Sequence, residues 1–145
     1  MNTARAGVIA VLCIGWFGGC KTVTPQDSPP GGLEGTSWRL VQIASSNNTT
    51  RAAIDRSRYT IGFGAAGALN VRFDCNRGRG SWKSTGLGNL TFGTIELTRA
   101  MCPVGSLHDE LVRQWPYVRS YLLKDSRLYL ALMADGGTIE FESAP

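Results

Sequence analysis

A two-residue alternation runs through Leu69–Asn76 (LNVRFDCN) and constrains the fold more than any other feature of the sequence. Leu69, Val71, Phe73 and Cys75 fall on one side, and Asn70, Arg72, Asp74 and Asn76 on the other. This is the pattern of a strand with one face in a core and the other in water. It places Cys75 with the core residues. Further strands are expected at Thr36–Ile43, Tyr59–Phe63, Ile95–Thr98, Arg127–Met133 and Thr138–Phe141, all rich in β-forming residues. Gly64–Gly67 (GAAG) reads as a hairpin turn, and Asp135–Gly136 within ADGG suits a second one. Ala44–Ser57 is polar and reads as a loop. Gly78, Gly80, Gly86 and Gly88 divide the stretch around Trp82 into short pieces.

One helix is expected. Ser106 is placed to cap it, with Asp109 three residues on as in a capping box and Glu110 favourable near the positive end of the dipole. Leu107, Leu111, Trp115 and Val118 recur at helical spacing and form an apolar stripe. Pro116 lacks a backbone donor and predicts a kink or stop near Trp115. The order of elements predicts a single α+β domain, a curved antiparallel sheet with one main helix packed on it.

The first residues belong to export rather than to this domain. A short basic start ending at Arg5 precedes the apolar run Ala6–Phe17, then Gly18, Gly19 and Cys20. The apolar run is too short to span a bilayer, which needs about 20 residues, and its order is that of a cleavable signal. FGGC resembles a lipobox, so residues 1–19 are read as a lipoprotein signal peptide and Cys20 as the acylated, palmitate-bearing residue. Lys21 after it favours the outer membrane, with the domain facing the periplasm. Lys21–Gly32 contains three prolines and reads as a solvated tether; fully extended, it reaches roughly 40 Å. Residues 33–145 are left for the domain. With 43% hydrophobic and 18% charged residues, the chain is able to build a core. A formal net charge of +4 is too diffuse for a nucleic-acid binder, and none is expected as a partner.

Two cysteines remain for the domain, Cys75 and Cys102. An even pair in an exported chain suggests a disulfide; buried free thiols and a pair of metal thiolates are the alternatives. No Cys-x-x-Cys is present and His108 is the only histidine, so neither a metal nor another cofactor is expected. A Cys102–His108 nucleophile lacks a group to orient the imidazole. Asp109 and Glu110 read as structural, because adjacent helical residues diverge. Trp38, Trp82 and Trp115 read as packing residues. Arg72, Arg77, Arg79 and Arg99 flank the cysteine segments and form a candidate anion-binding patch.

Five segments in order resemble the META domain, or HslJ-like, family. They are Leu33–Leu40 (LEGTSWRL), Gly67 through Cys75-Asn76-Arg77 with Gly80, Leu97–Pro103 (LTRAMCP), His108–Leu111 (HDEL) and Leu128–Phe141. The chain departs from the family at Asp74, where glycine is more usual. The resemblance implies a compact antiparallel sheet with a packed helix, frequent occurrence on envelope lipoproteins and, in parts of the family, a link to stress tolerance; it implies no catalytic residues. The expected function is a non-catalytic envelope lipoprotein, held to a membrane by its lipid anchor, that binds or supports an envelope protein or anionic lipid. A secreted inhibitor of a hydrolase such as lysozyme is the alternative; the excess of basic residues argues against it, since lysozymes are themselves basic.

Overall fold

The computed structural model describes residues 32–86 and 88–145. The expected signal segment 1–19, the expected acylation residue Cys20 and all of the expected tether except Gly32 lie outside them.

The described residues form mostly antiparallel β structure. In chain order the strands are β1 (Thr36–Ser45), β2 (Thr50–Ala52), β3 (Tyr59–Phe63), β4 (Ala68–Phe73), β5 (Asn76–Ser84), β6 (Leu90–Phe92), β7 (Glu96–Leu97), β8 (Val118–Lys124), β9 (Arg127–Leu132) and β10 (Gly137–Ser143). They are joined in the order β6-β5-β4-β3-β1-β10-β9-β8, with β2 added to β1 and β7 added to β5. The two ends of that order meet: Asn89 bridges to Ser120, and the Tyr121 amide donates to the Gly88 carbonyl at 2.8 Å. The sheet therefore curls into a nearly closed barrel.

This corrects the α+β expectation. The only α-helix among the described residues, α1 (His108–Gln114), is seven residues long. Pro116 then turns the chain through a 3-10 turn, Trp115–Tyr117, into β8. The expected apolar stripe is real, since Leu107, Leu111, Trp115 and Val118 are all buried, but Val118 already belongs to a strand. A helix of two turns has too little apolar surface to form a layer of its own; it plugs one end of the barrel. Bulges in the β1–β10 and β8–β9 pairings, at Leu40/Gln42 and Val118/Ser120, add the local bend that closure needs.

The barrel interior is filled by alternate residues. Leu40 and Ile43 of β1, Ile61 and Phe63 of β3, Leu69 and Phe73 of β4, and Ile139 and Phe141 of β10 are all buried. Trp115 stacks on Phe92 and meets Phe73 edge-on, while Trp82 meets Phe63 edge-on, so Trp82 and Trp115 are packing residues as expected. Trp38 is likewise buried, with its Nε1 donating to Thr36 Oγ1.

Three further expectations are corrected. Around Trp82 the chain is one nine-residue strand, β5, that runs through Gly78 and Gly80, while Gly86 and Gly88 lie beyond its end as expected. Its glycines serve close approach instead of breaking the strand: a Cβ at Gly78 would lie 2.6 Å from the Glu96 carbonyl oxygen, and one at Gly80 2.9 Å from that of Thr94. The polar loop Ala44–Ser57 contains β2. The capping box does not form either, because Ser106 Oγ accepts from the His108 amide and the Asp109 carboxylate turns to His108 Nδ1.

Candidate functional site

The chemistry-bearing residues gather at one end of the barrel, where the β4–β5 turn, the β2–β3 connection and the β7–α1 connection converge. The turn consists of Asp74 and Cys75, because Phe73 pairs directly with Asn76. Asp74 takes φ 60°, and this two-residue turn breaks the alternation. Cys75 consequently stands at the surface, half-buried, whereas Asn76 points inward and is fully buried. The expectation that Cys75 lies with the core is thus corrected.

Cys75 is joined to Cys102 in a disulfide that ties the turn to the β7–α1 connection. Asn76 reinforces the tie. Its Nδ2 donates to the Ala100 carbonyl at 2.9 Å, and its Oδ1 accepts from the Ala100 amide at 2.7 Å and from Thr98 Oγ1 at 2.9 Å. Nδ2 also lies 3.4 Å from each sulfur. The side chain substitutes for a backbone neighbour, satisfying both polar groups of Ala100 where β7 has ended. Arg77 and Thr98 continue the pairing: the Thr98 amide donates to the Arg77 carbonyl, and the Arg77 amide donates to Thr98 Oγ1. Sequence reasoning placed Asn76 in water; the signal that would have found it is its position directly after a two-residue turn.

Asp74 is buried and ion-paired with Arg58, and its amide donates to the Arg58 carbonyl. An aspartate here therefore exchanges glycine's freedom at positive φ for a charge link to the segment before β3. Removing Arg58 leaves a buried carboxylate without its counter-ion. Arg58→Ala is expected to destabilise the fold by about 1–3 kcal/mol, and Asp74→Gly in that background to restore most of the loss, as read by urea midpoints. No recovery in the double variant would show that the pair is not what Asp74 contributes.

His108 and Cys102 do not form a nucleophile pair: the Cys102 sulfur is bonded to Cys75, and His108 Nδ1 faces Asp109 Oδ1 at 2.9 Å. Glu110 is structural in a way the sequence did not indicate, receiving Arg51 Nη1 of β2 at 2.8 Å. No group of three or more His, Cys, Asp or Glu able to hold a metal is found among the described residues.

The four candidate arginines are brought together. Arg72 lies directly across from Arg77 in the β4–β5 pairing, and Arg79 directly across from Asn70, all on the outer face. Arg99 follows Thr98, which pairs with Arg77. Arg72 Nε donates to the Asp74 carbonyl, whereas Arg77, Arg79 and Arg99 are exposed, and none of the four forms an ion pair with a carboxylate among the described residues. Glu96 stands opposite Arg79 across the β5–β7 pairing without forming an ion pair. Asp55 lies nearby. The Ser57 hydroxyl, then the Ser57 amide and the charges of Arg58 and Arg72, hold its carboxyl below the ordinary aspartate value, against a smaller opposing effect of burial.

These features define a class: a small, nearly closed antiparallel β-barrel with one end fastened by a disulfide and a buried asparagine. The chain belongs to the META domain family, whose sequence profile matches residues 31–145. Among solved structures it is similar to a protein from Burkholderia xenovorans determined by NMR, with 21% identity and a TM-score of 0.66 over 90% of this chain and 99% of that one. It also resembles the crystal structure of a DUF4847 family protein from Bacteroides vulgatus, with 16% identity and a TM-score of 0.54 over 74% and 91%. No curated protein matches the sequence. At these identities the structural likenesses support the fold alone.

Proposed function

We propose that this chain is a non-catalytic domain tethered at the cell envelope through Cys20, whose arginine face binds anionic groups of an envelope component. Residence at the outer membrane, facing the periplasm, and a part in stress tolerance belong to the same reading. The observation that carries it is the placement of charge. Arg39, Arg51, Arg56, Arg58 and Arg127 each lie within ion-pair distance of a carboxylate. Arg77, Arg79 and Arg99, like Arg113 and Arg119, have none among the described residues, and of these only Arg77 faces another arginine, Arg72, directly across a strand pair. Like charges opposite one another destabilise a sheet, and an external anion offsets that cost. The disulfide supports the exported half of the reading, since such bonds persist in oxidising compartments.

The test uses the chain from residue 20 onward carrying Cys20→Ser, which retains every described residue and removes the acyl anchor. Binding to vesicles containing anionic phospholipid is expected to exceed binding to zwitterionic vesicles and to weaken as salt rises. Each arginine near an anionic surface contributes about 1 kcal/mol, so serine at Arg77, Arg79 and Arg99 together should weaken binding about a hundredfold. Equal binding by this variant across the salt series would sink the reading.

A further inference from the structure

Three large apolar side chains stand almost wholly in water at the disulfide-bearing end of the barrel. Ile54 is 101% exposed, Met101 99% and Val104 108%, whereas every other exposed large hydrophobic among the described residues is at most 56% exposed. They come from two connections held close together. Ile54 lies between β2 and β3, and Met101 and Val104 between β7 and α1. Ile54 and Val104 line the same shallow depression, with Tyr59, Asp74 and Ser106. The Cys75–Cys102 bond and the Asn76 contacts fix the second connection to the body, so Met101 and Val104 project from a fastened loop.

The charge around these residues is specific. Arg99 is two residues from Met101, and Arg72 and Arg77 flank the Asp74–Cys75 turn beneath the same loop. An apolar tip ringed by arginines without carboxylate partners matches the profile of an anionic bilayer surface, with phosphates at the level of the arginines and the start of the acyl chains a few ångströms deeper. Asp55, adjacent to Ile54, and Asp109 are the counter-charges at this end; Asp55 is engaged by the Ser57 amide and hydroxyl.

Tether geometry allows this end to reach the membrane. Gly35 bonds the Phe63 carbonyl, so the folded chain begins at the end of β3 opposite Tyr59 and the disulfide. The six residues of β4 span about 20 Å at 3.3 Å per residue. The segment Lys21–Gly32 has a maximum reach of roughly 40 Å, enough to run back along the barrel.

We propose that Ile54, Met101 and Val104 form a membrane-insertion tip that seats the barrel end-on in an anionic phospholipid surface, with Arg72, Arg77 and Arg99 as its collar. This deepens the anion-binding reading and rests on it for the collar, while the tip itself is tested separately. Serine at all three apolar positions replaces side chains that stand almost wholly in water, so stability should be unchanged. Partition of the Cys20→Ser chain into anionic vesicles should fall about tenfold or more, with its salt dependence retained. Asp55→Asn, which keeps an oxygen for the Ser57 contacts, should raise partition about fivefold. A tryptophan introduced as Val104→Trp should shift to shorter emission wavelength on binding, and lipids brominated near the headgroup should quench it. Wild-type partition by the triple serine variant, or an unquenched Val104→Trp in a chain that still binds vesicles, would overturn the tip and leave the arginine reading standing. Binding to soluble polyphosphate but not to vesicles would do the same. Failure to bind any of these probes would remove both.

Discussion

Asn76→Ala is expected to lower the unfolding free energy by about 2–4 kcal/mol, the range for a buried polar network broken at its centre. The alanine removes three hydrogen bonds within 3.0 Å and leaves the amide and carbonyl of Ala100 without their partner. The urea midpoint should fall with the slope nearly unchanged, since the fold itself survives. Asn76→Asp is a sharper test. It keeps the acceptor for Thr98 and Ala100 but sets a second oxygen against the Ala100 carbonyl, inside a fully buried site. The loss at neutral pH should be at least as large as for alanine. Burial and the facing carbonyl would raise the folded-state pKa of that introduced carboxyl above its unfolded value of about 3.9. The folded state then holds the extra proton, so the variant should regain stability as pH falls towards the ordinary aspartate range. A cost below about 1 kcal/mol for either substitution would mean that the disulfide alone holds the loop.

Replacing both Cys75 and Cys102 with serine is expected to cost about 3–4 kcal/mol. The sequence separation is 27 residues, and closing a loop of that length restricts the unfolded chain by that amount in the entropy model. For a domain of this size, with a typical stability of about 5–15 kcal/mol, the loss is a large share of the total. Wild-type protein unfolded in the presence of reductant should match the serine variant. Because Asn76 and the disulfide fasten the same connection, the two losses should not add: once either tie is gone the loop is already freer in the native state. A cycle of Asn76→Ala with the double serine variant should therefore show coupling of about 1 kcal/mol. Strict additivity would show that the two ties act on separate parts of the structure.

Much of the barrel is legible in the sequence where a strand has one wet face. Leu69, Val71 and Phe73 alternate inward as their spacing indicates, and Tyr59, Ile61 and Phe63 do the same opposite them. Pro116 ends the helix because a missing amide is a local fact. The alternation fails at Cys75 for a local reason as well: a two-residue turn with positive φ at Asp74 consumes two positions and hands the inward place to Asn76. β5 was hidden because its inward positions include Gly78 and Gly80, which carry no side chain to show a period; the space they leave is occupied by β7 and its approach. The candidate arginines were visible as residue types, but not their relation to one another, which exists only across the β4–β5 pairing.

The sequence by itself determined which segments have an apolar face and where the helix must stop, because each follows from the chemistry of neighbouring residues. The tertiary structure alone decided that the sheet closes on itself through Gly88, Asn89, Ser120 and Tyr121, and that three loops distant in sequence meet around one disulfide. Closure depends on strands about thirty residues apart finding each other once bulges and twist have bent the sheet, and no periodicity within a single segment records that. The disulfide and the Asn76 contacts fasten the connection that carries Met101 and Val104 at the end where Ile54 also stands.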